Sequence, residues 1–433
     1  MGVRVRTPGS ALEDALEYLF ARTTGQFKFG LERTEKLLAA LGDPHVAYPV
    51  IHVAGTNGKG STLAMAESIL RGRGLRVGKY TSPHLVDFRE RILVDGQPID
   101  GADVVEFVDR RTPLVETIGA SFFEATTAMA FEAFARAHVD IALVETGLGG
   151  RLDSTNVVHP LAAGVTTIGW DHMEYLGHTL EAIALEKAGI FKHDRPAVIG
   201  EPEAHIADVL STRAVELGAN PLLVSKIARV EDVEVAADAR GGTSATIEMF
   251  GERARLHTPL TGRHQAANLA FTLALLHSAG SAYGTPLGDA NESLANVHLP
   301  GRFQRVGKFI FDVAHNEDGA RVLADTLRAV QPPRPICAVF CALRDKDWQQ
   351  MLAALAGVVD SFVLTDAPTA PASRAWSIAS AEAYARQMQW NAGAAQFDDA
   401  LERAQDAATV VVTGSFHTVG DAMARLAVSP FET

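Results

Sequence analysis

The sequence predicts an α/β protein of two domains, a larger one over residues 1–299 built on a parallel sheet and a smaller one over residues 300–433. Three observations carry that prediction. Short apolar runs alternate with stretches whose apolar residues recur at three-and-four spacing. Many of the runs end at a polar residue or a Gly-rich turn. The chain of 433 residues leaves room for two or three domains at about 150 residues each.

In the first half, residues 50–54, 141–145 and 164–168 read as short buried strands. In the second half the strand candidates are 309–313, 336–341, 361–365 and 409–413, with helical periodicity at 318–330 and 348–358. The stretch 280–301, rich in Gly, Ser, Asn and Pro, has no long periodic run and puts the boundary near Pro300. Residues 230–257 alternate apolar and polar on both sides of Gly241-Gly242, with Val233 and Val235 before them and Ile247 and Met249 after. That pattern predicts an antiparallel hairpin added to the first domain.

Composition narrows the function. The chain carries 39 Lys and Arg against 52 Asp and Glu, a net charge of −13, which argues against a nucleic-acid partner. Hydrophobic residues at 47% and charged residues at 21% are an ordinary globular balance rather than that of a disordered chain. No apolar run reaches the roughly 18 residues of a membrane span, and the first residues lack a signal-peptide core. A soluble, cytoplasmic protein without membrane partners is expected. Gly2 is not a myristoylation site on this reading, because Arg6 stands where that motif needs Ser or Thr. Cys337 and Cys341 share one predicted strand, about 13 Å apart over four strand steps and beyond the roughly 7 Å reach of a disulfide. They read as core thiols of a reducing compartment.

The strongest local signal is Gly55-Thr56-Asn57-Gly58-Lys59-Gly60-Ser61, which follows a predicted strand and opens a helix from about Thr62 to Arg71. Its glycines let backbone N–H groups turn toward an anion, the helix N-terminus adds its dipole, and Lys59 can reach outer phosphates while a hydroxyl holds Mg²⁺. The common phosphate-loop pattern differs in two places. It has Gly where this chain has Val53, and Ser or Thr where this chain has Gly60.

This loop resembles the ATP loop of the folylpolyglutamate synthase and dihydrofolate synthase family, within the Mur ligase superfamily. Further segments resemble the family in order and spacing. They include Tyr80-Thr81-Ser82-Pro83-His84-Leu85, Glu90-Arg91-Ile92, Phe122-Phe123-Glu124-Ala125-Thr126-Thr127, and Gly147-Leu148-Gly149-Gly150-Arg151-Leu152-Asp153. Asp171-His172, Glu186-Lys187-Ala188-Gly189, Pro300-Gly301-Arg302-Phe303, Asp312-Val313-Ala314-His315-Asn316, Asp345-Lys346-Asp347 and Val412-Thr413-Gly414-Ser415 continue the series. The resemblance runs from about Phe29 to Gly420. It implies a P-loop-containing ATPase domain with a parallel sheet, followed by a smaller Rossmann-like C-terminal α/β domain.

The chemistry implied is ATP-dependent amide formation: a carboxylate takes the γ-phosphoryl group to become an acyl phosphate, and an amine displaces phosphate. The acceptor implied is dihydropteroate, a tetrahydrofolyl-(poly)glutamate, or both, with L-glutamate as the amine. The resemblance assigns one Mg²⁺ to Ser61, Glu145 and His172. In that family the lysine corresponding to Lys187 is carbamylated, which would let it reach a second Mg²⁺; without the resemblance a lysine on the 180–188 helix reads as a solvated surface residue. Asp153 is the expected proton acceptor for the incoming amine, although an Asp in a Gly-rich turn is often a turn former. Asn268, Arg302, Asp312 and His315 are expected to hold the nucleotide from both domains. Thr81, Ser82, Pro83 and His84 are expected at the folate-like substrate, with residues 25–41 covering a pterin. Ser415 and His417 are expected at glutamate. Two other functions compete: a cell-wall amino-acid ligase of the same superfamily, and a nucleotide switch without ligase activity. The protein is expected to act as a monomer.

Overall fold

The computed structural model describes residues 8–23, 30–237 and 241–431. Residues 2 and 6, Phe29, and the start of the 25–41 segment therefore lie outside the described residues. The larger sheet comprises β1 (Val50–Ala54), β2 (Val77–Tyr80), β3 (Ile92–Val94), β4 (Gln97–Pro98), β5 (Ile141–Glu145), β6 (Ala162–Val165), β7 (Pro196–Ile199) and β8 (Asn220–Leu223). Their spatial order is β4-β3-β2-β5-β1-β6-β7-β8. Pairing is parallel from β2 to β8, and β3 and β4 close one edge antiparallel.

β1 and β5 are buried at every position, as parallel strands covered by helices on both faces must be. The period of two divides their side chains between two cores. Ile51, Val53, Ile141 and Leu143 pack with Leu63 of the Lys59–Gly72 helix and Phe271 of the His264–Ser278 helix. Val50, Ala142 and Val144 pack with Phe131 of the Phe122–Arg136 helix and Phe107 of the Gly101–Ile118 helix. At Gly78 on β2 a Cβ would stand 2.7 Å from the Phe134 ring, so only glycine admits that helix so close.

The predicted hairpin is a three-stranded antiparallel sheet of β9 (Ala228–Val235), β10 (Thr243–Met249) and β11 (Glu252–Thr258). Its second turn is formed by Phe250 and Gly251, both at positive φ (53° and 80°). The 280–301 stretch is also more ordered than expected. It forms short helices at Leu287–Asp289 and Ala290–Leu294, whose Leu287, Ala290 and Leu294 join the first core.

The C-terminal sheet has β12 (Gln304–Val306), β13 (Phe309–Phe311), β14 (Ile336–Phe340), β15 (Ser361–Leu364), β16 (Ala392–Ala394) and β17 (Thr409–Thr413), ordered β12-β13-β17-β14-β15-β16. All its pairs are parallel except that of the β12 edge. Along β14, Ala338 and Phe340 face one core, and Cys337 and Val339 the other. Cys337 and Cys341 are free and buried. No helix among the described residues is long and apolar enough to cross a membrane.

Candidate active site

The carboxyl ends of β1, β5 and β6 and the end of β13 face one cleft of about 520 Å³, where open α/β sheets bind ligands. Gly55 to Ser61 form one wall. The helix starts at Lys59, so Ser61 lies in its first turn and lines the cleft one residue beyond the usual hydroxyl position. Gly58, the residue before the helix, is left-handed (φ 93°), and a Cβ there would approach Asn268 Oδ1 to 2.7 Å.

The loop is held from behind by Thr166, Thr167 and Gly169, a contact that the strand expectation for 164–168 did not assign. The Thr166 and Thr167 hydroxyls donate to the Asn57 carbonyl at 2.7 and 3.2 Å. Thr56 N–H donates to the Thr167 carbonyl at 2.7 Å, and Gly169 N–H donates to Thr56 Oγ1 at 3.0 Å. Two consecutive threonines directly after a strand were the available signal.

Lys59 Nζ donates to the Gly55 carbonyl at 2.9 Å and stands 3.7 Å from Glu145 Oε1. Burial pushes the Glu145 carboxyl above the usual carboxylate range, while Lys59 and Arg302 pull it back. His172 is buried enough that its pKa falls to about 3, leaving a neutral imidazole with a free lone pair. Burial alone would raise Asp171, but the His315 hydrogen bond and the charge of Lys346 hold it well below the carboxylate range. Lys187 is 5% exposed, which overturns the surface reading of this helix position. Burial, followed by the charge of Lys59, lowers its pKa to about 7.

A hydroxyl, a carboxylate and a neutral imidazole fit a divalent cation that keeps several waters and phosphate oxygens, as Mg²⁺ does. Among the described residues no three His, Cys, Asp or Glu side chains gather as a complete protein cage, so phosphates and water would supply the remaining ligands.

The opposite wall comes from the C-terminal half. Arg302, Asp312 and His315 line the cleft with Asn268. Asp312 accepts N–H bonds from Phe303 and Ala314, both at 2.9 Å, and burial raises its pKa to about 6 against the pull of Arg302. The Arg302 guanidinium lies 5.1 Å from the Phe416 ring centroid. Asn57 of the phosphate loop and Asn316 exchange side-chain amide bonds of 3.4 and 3.2 Å, so the two halves meet directly beside the phosphate cradle.

Thr81, Ser82 and Pro83 also line the cleft. Glu90 shapes that segment by accepting the N–H groups of Leu85, Val86 and Asp87 at 2.6 to 3.0 Å.

Four expected site residues are not on the cleft wall. The carboxylate of Asp153 accepts the N–H groups of Gly147, Leu148 and Thr155 and the hydroxyl of Thr155; these bonds shape the turn, while burial pushes the carboxyl above the usual carboxylate range. His84 accepts from Arg91 Nε at 2.8 Å and sits 6.1 and 6.2 Å from the Phe88 and Phe20 rings. Ser415 caps the Phe416–Arg425 helix by accepting from Thr418 N–H at 3.1 Å. His417 meets the Thr369 hydroxyl at 3.0 Å.

Comparison with known proteins identifies both parts of the chain. Residues 53–276 match the Mur ligase middle domain and residues 301–416 the Mur ligase glutamate ligase domain. The chain is 37% identical to a dihydrofolate synthase/folylpolyglutamate synthase of Escherichia coli, over 96% of each protein. Among solved structures, the folylpolyglutamate synthase of Mycobacterium tuberculosis complexed with ADP superposes with a TM-score of 0.89 at 34% identity, over 98% of this chain and all of that one. A bifunctional folylpolyglutamate synthase/dihydrofolate synthase with Mn, AMPPNP and L-glutamate bound gives a TM-score of 0.82 at 33% identity, again over 98% of this chain and all of that one. With one cleft framed by both matched domains, and a relative similar along nearly its whole length, this chain belongs to the dihydrofolate synthase/folylpolyglutamate synthase family of Mur ligases.

Proposed function

We propose that this protein is an ATP- and Mg²⁺-dependent ligase that joins L-glutamate to dihydropteroate and to reduced folates that already carry glutamate. The observation that carries this reading is the single cleft with the Gly55–Ser61 loop on one wall and Arg302, Asp312 and His315 on the other. Residues from both sheets can then meet one nucleotide, and closure excludes water from an acyl phosphate that water would destroy.

The chain divides at about residue 300, and the protein acts as a monomer on small molecules alone. Backbone N–H groups of residues 55–61 and the amine of Lys59 bind the outer phosphates. Arg302 offers a planar fork to a phosphate, and Asn268, Asp312 and His315 hold the nucleoside end. Thr81, Ser82 and Pro83 line the approach of the carboxylate acceptor. The acceptor carboxylate attacks the γ-phosphorus and ADP leaves; the glutamate amine then attacks the acyl carbon and phosphate leaves.

Ser61, Glu145 and His172 would hold one Mg²⁺, and Lys187, as its carbamate, a second. These ions would neutralise charge gathering on the transferred phosphoryl group. A buried Lys187 with a pKa near 7 supports carbamylation, because CO₂ combines with the neutral amine.

The test is ADP release with each component omitted in turn. Release should require Mg²⁺, a pteroate or folate acid and L-glutamate together. Equal release without the acid would make the protein an ATPase and end the ligase reading.

A further inference from the structure

A buried ion pair crosses from one half of the molecule to the other at the edge of the cleft. Lys346, in the loop after β14, has a side chain only 7% exposed. Its Nζ donates to Asp171 Oδ1 and lies 3.5 Å from Asp345 Oδ2. Asp345 in turn accepts Nε and a terminal N–H of Arg374 at 3.0 and 2.8 Å.

Asp171 belongs to the other half, in the loop that follows β6. Its Oδ1 also accepts the His172 backbone N–H at 2.9 Å. Its Oδ2 stands 3.7 Å from His172 Nε2 and 3.5 Å from His315 Nε2. Asp171, His172 and His315 line the cleft, whereas Lys346 is not among its lining residues. Lys346 therefore reaches the site through Asp171.

Separating the halves would break the Lys346–Asp171 and His315–Asp171 contacts together, and removing one partner while the halves stay joined would leave a buried charge alone, which is costly. The pair is satisfied in the joined arrangement, so it biases the molecule toward closure. We propose that Lys346 is a positioning residue: an ionic latch across the domain junction that fixes Asp171 and, through it, sets His172 beside the phosphate loop and His315 against the nucleotide. The proposal deepens the ligase reading and rests on it for the identity of the reaction.

The experiment compares full-length wild type with Lys346→Met, Lys346→Arg, Asp171→Asn and the double variant Asp171→Asn/Lys346→Met. It measures kcat, the separate KM values for ATP and glutamate, and the affinity for a non-hydrolysable ATP analogue with Mg²⁺. Fluorophores on cysteines introduced at exposed Val215 and Met388, one in each half, report the distance between them.

Lys346→Met should lower kcat by about tenfold or more and raise KM for ATP, with KM for glutamate held within about twofold. Lys346→Arg should recover most of the loss. The double variant should be no worse than the poorer single one, because both remove the same interaction. It also leaves no lone buried charge, so it reports on closure even if a single variant folds poorly. With the analogue bound, the double variant should show a longer distance between the fluorophores than wild type.

A kcat within about twofold of wild type in Lys346→Met would overturn the latch. So would losses that multiply in the double variant, or an effect confined to KM for glutamate, which would make Lys346 a substrate contact. If wild type releases ADP without an acceptor, the ligase reading fails separately. The latch is then still decided by analogue affinity and fluorophore distance, neither of which needs turnover.

Discussion

The Lys187 amine donates a hydrogen bond to the Gly55 carbonyl over 3.0 Å, across a separation of 132 residues. The contact fastens the end of the Leu180–Ala188 helix to the first residue of the phosphate loop, and it buries an amine beside Lys59. Burial and that neighbouring charge lower the Lys187 pKa from 10.5 to about 7.

Between those two pH values the folded chain binds fewer protons at this site than the unfolded chain, so its stability rises with pH across that window. Below about 7 the cost of a buried ammonium is fully present. Carbamate, which forms from the neutral amine, should therefore accumulate as pH rises through 7. ¹³C NMR with labelled bicarbonate should give a carbamate signal at pH 8 that disappears at pH 6 and is absent from Lys187→Ala, with pH values of about one unit on either side chosen for titration contrast. An identical spectrum from Lys187→Ala would assign the signal elsewhere.

Lys59→Ala should cut kcat by about a hundredfold or more, since the cation is placed where phosphate charge develops. The fold should survive: the Lys59 contacts are to the Gly55 and Thr56 carbonyls of its own loop and to Glu145. Thermal unfolding and turnover measured on one preparation check both halves of the claim. Near-normal turnover would remove Lys59 from the site.

Sequence alone was most informative where burial is continuous. β1, β5 and β17 follow their apolar runs residue for residue, and the helices Glu317–Val330 and Trp348–Ala356 follow the periodicity at 318–330 and 348–358 to within two residues. β6 was displaced. It spans Ala162–Val165 rather than 164–168: past Val165 the Thr166 and Thr167 hydroxyls turn to the Asn57 carbonyl, and the small alanines at its start give little strand signal. The turn at Phe250-Gly251 was hidden by an aromatic residue at a turn position. In the site, residues on loops just after strands were legible as a group, but their individual roles were not. A serine that caps a helix, such as Ser415, or an aspartate that collects backbone N–H groups, such as Asp153, has the same letter as one that faces a substrate.

That ambiguity gives a test at Asp153. Asp153→Ala would remove the acceptor of the Gly147 and Leu148 N–H groups at the cleft edge and strand the buried N–H of Thr155, and a buried donor so stranded costs about 1–3 kcal/mol. Urea unfolding should show a clear loss of stability, and the pH profile of the residual activity should keep its shape. A profile that loses one limb, with stability intact, would return Asp153 to the role of proton acceptor.

The enzyme should accept both dihydropteroate and a reduced folate bearing glutamate. Each acceptor presents a pterin at one end and a carboxylate at the other, but in the folate the reacting carboxylate lies one glutamate further from the pterin. Since the γ-phosphoryl group has one position beside Lys59, the pterin must bind at two depths or in two places. The cleft has the extent for this. From the phosphate loop it continues past Ser82 and Pro83 to Leu85, Leu93, Pro98 and Phe431. Beside that run, Phe20 and Phe122 stack at 5.4 Å with Phe20 42% exposed, which offers a flat apolar face to a pterin ring. Steady-state assays with each acceptor alone should give turnover with both. A kcat/KM for dihydropteroate several orders of magnitude below that for the folate would leave a polyglutamate synthase only. With both active, each acceptor should inhibit the other competitively, because either one occupies the single path to the phosphoryl group even if their pterins rest apart. Non-competitive inhibition would require both acceptors on the enzyme at once, and with it a second route to the phosphate loop.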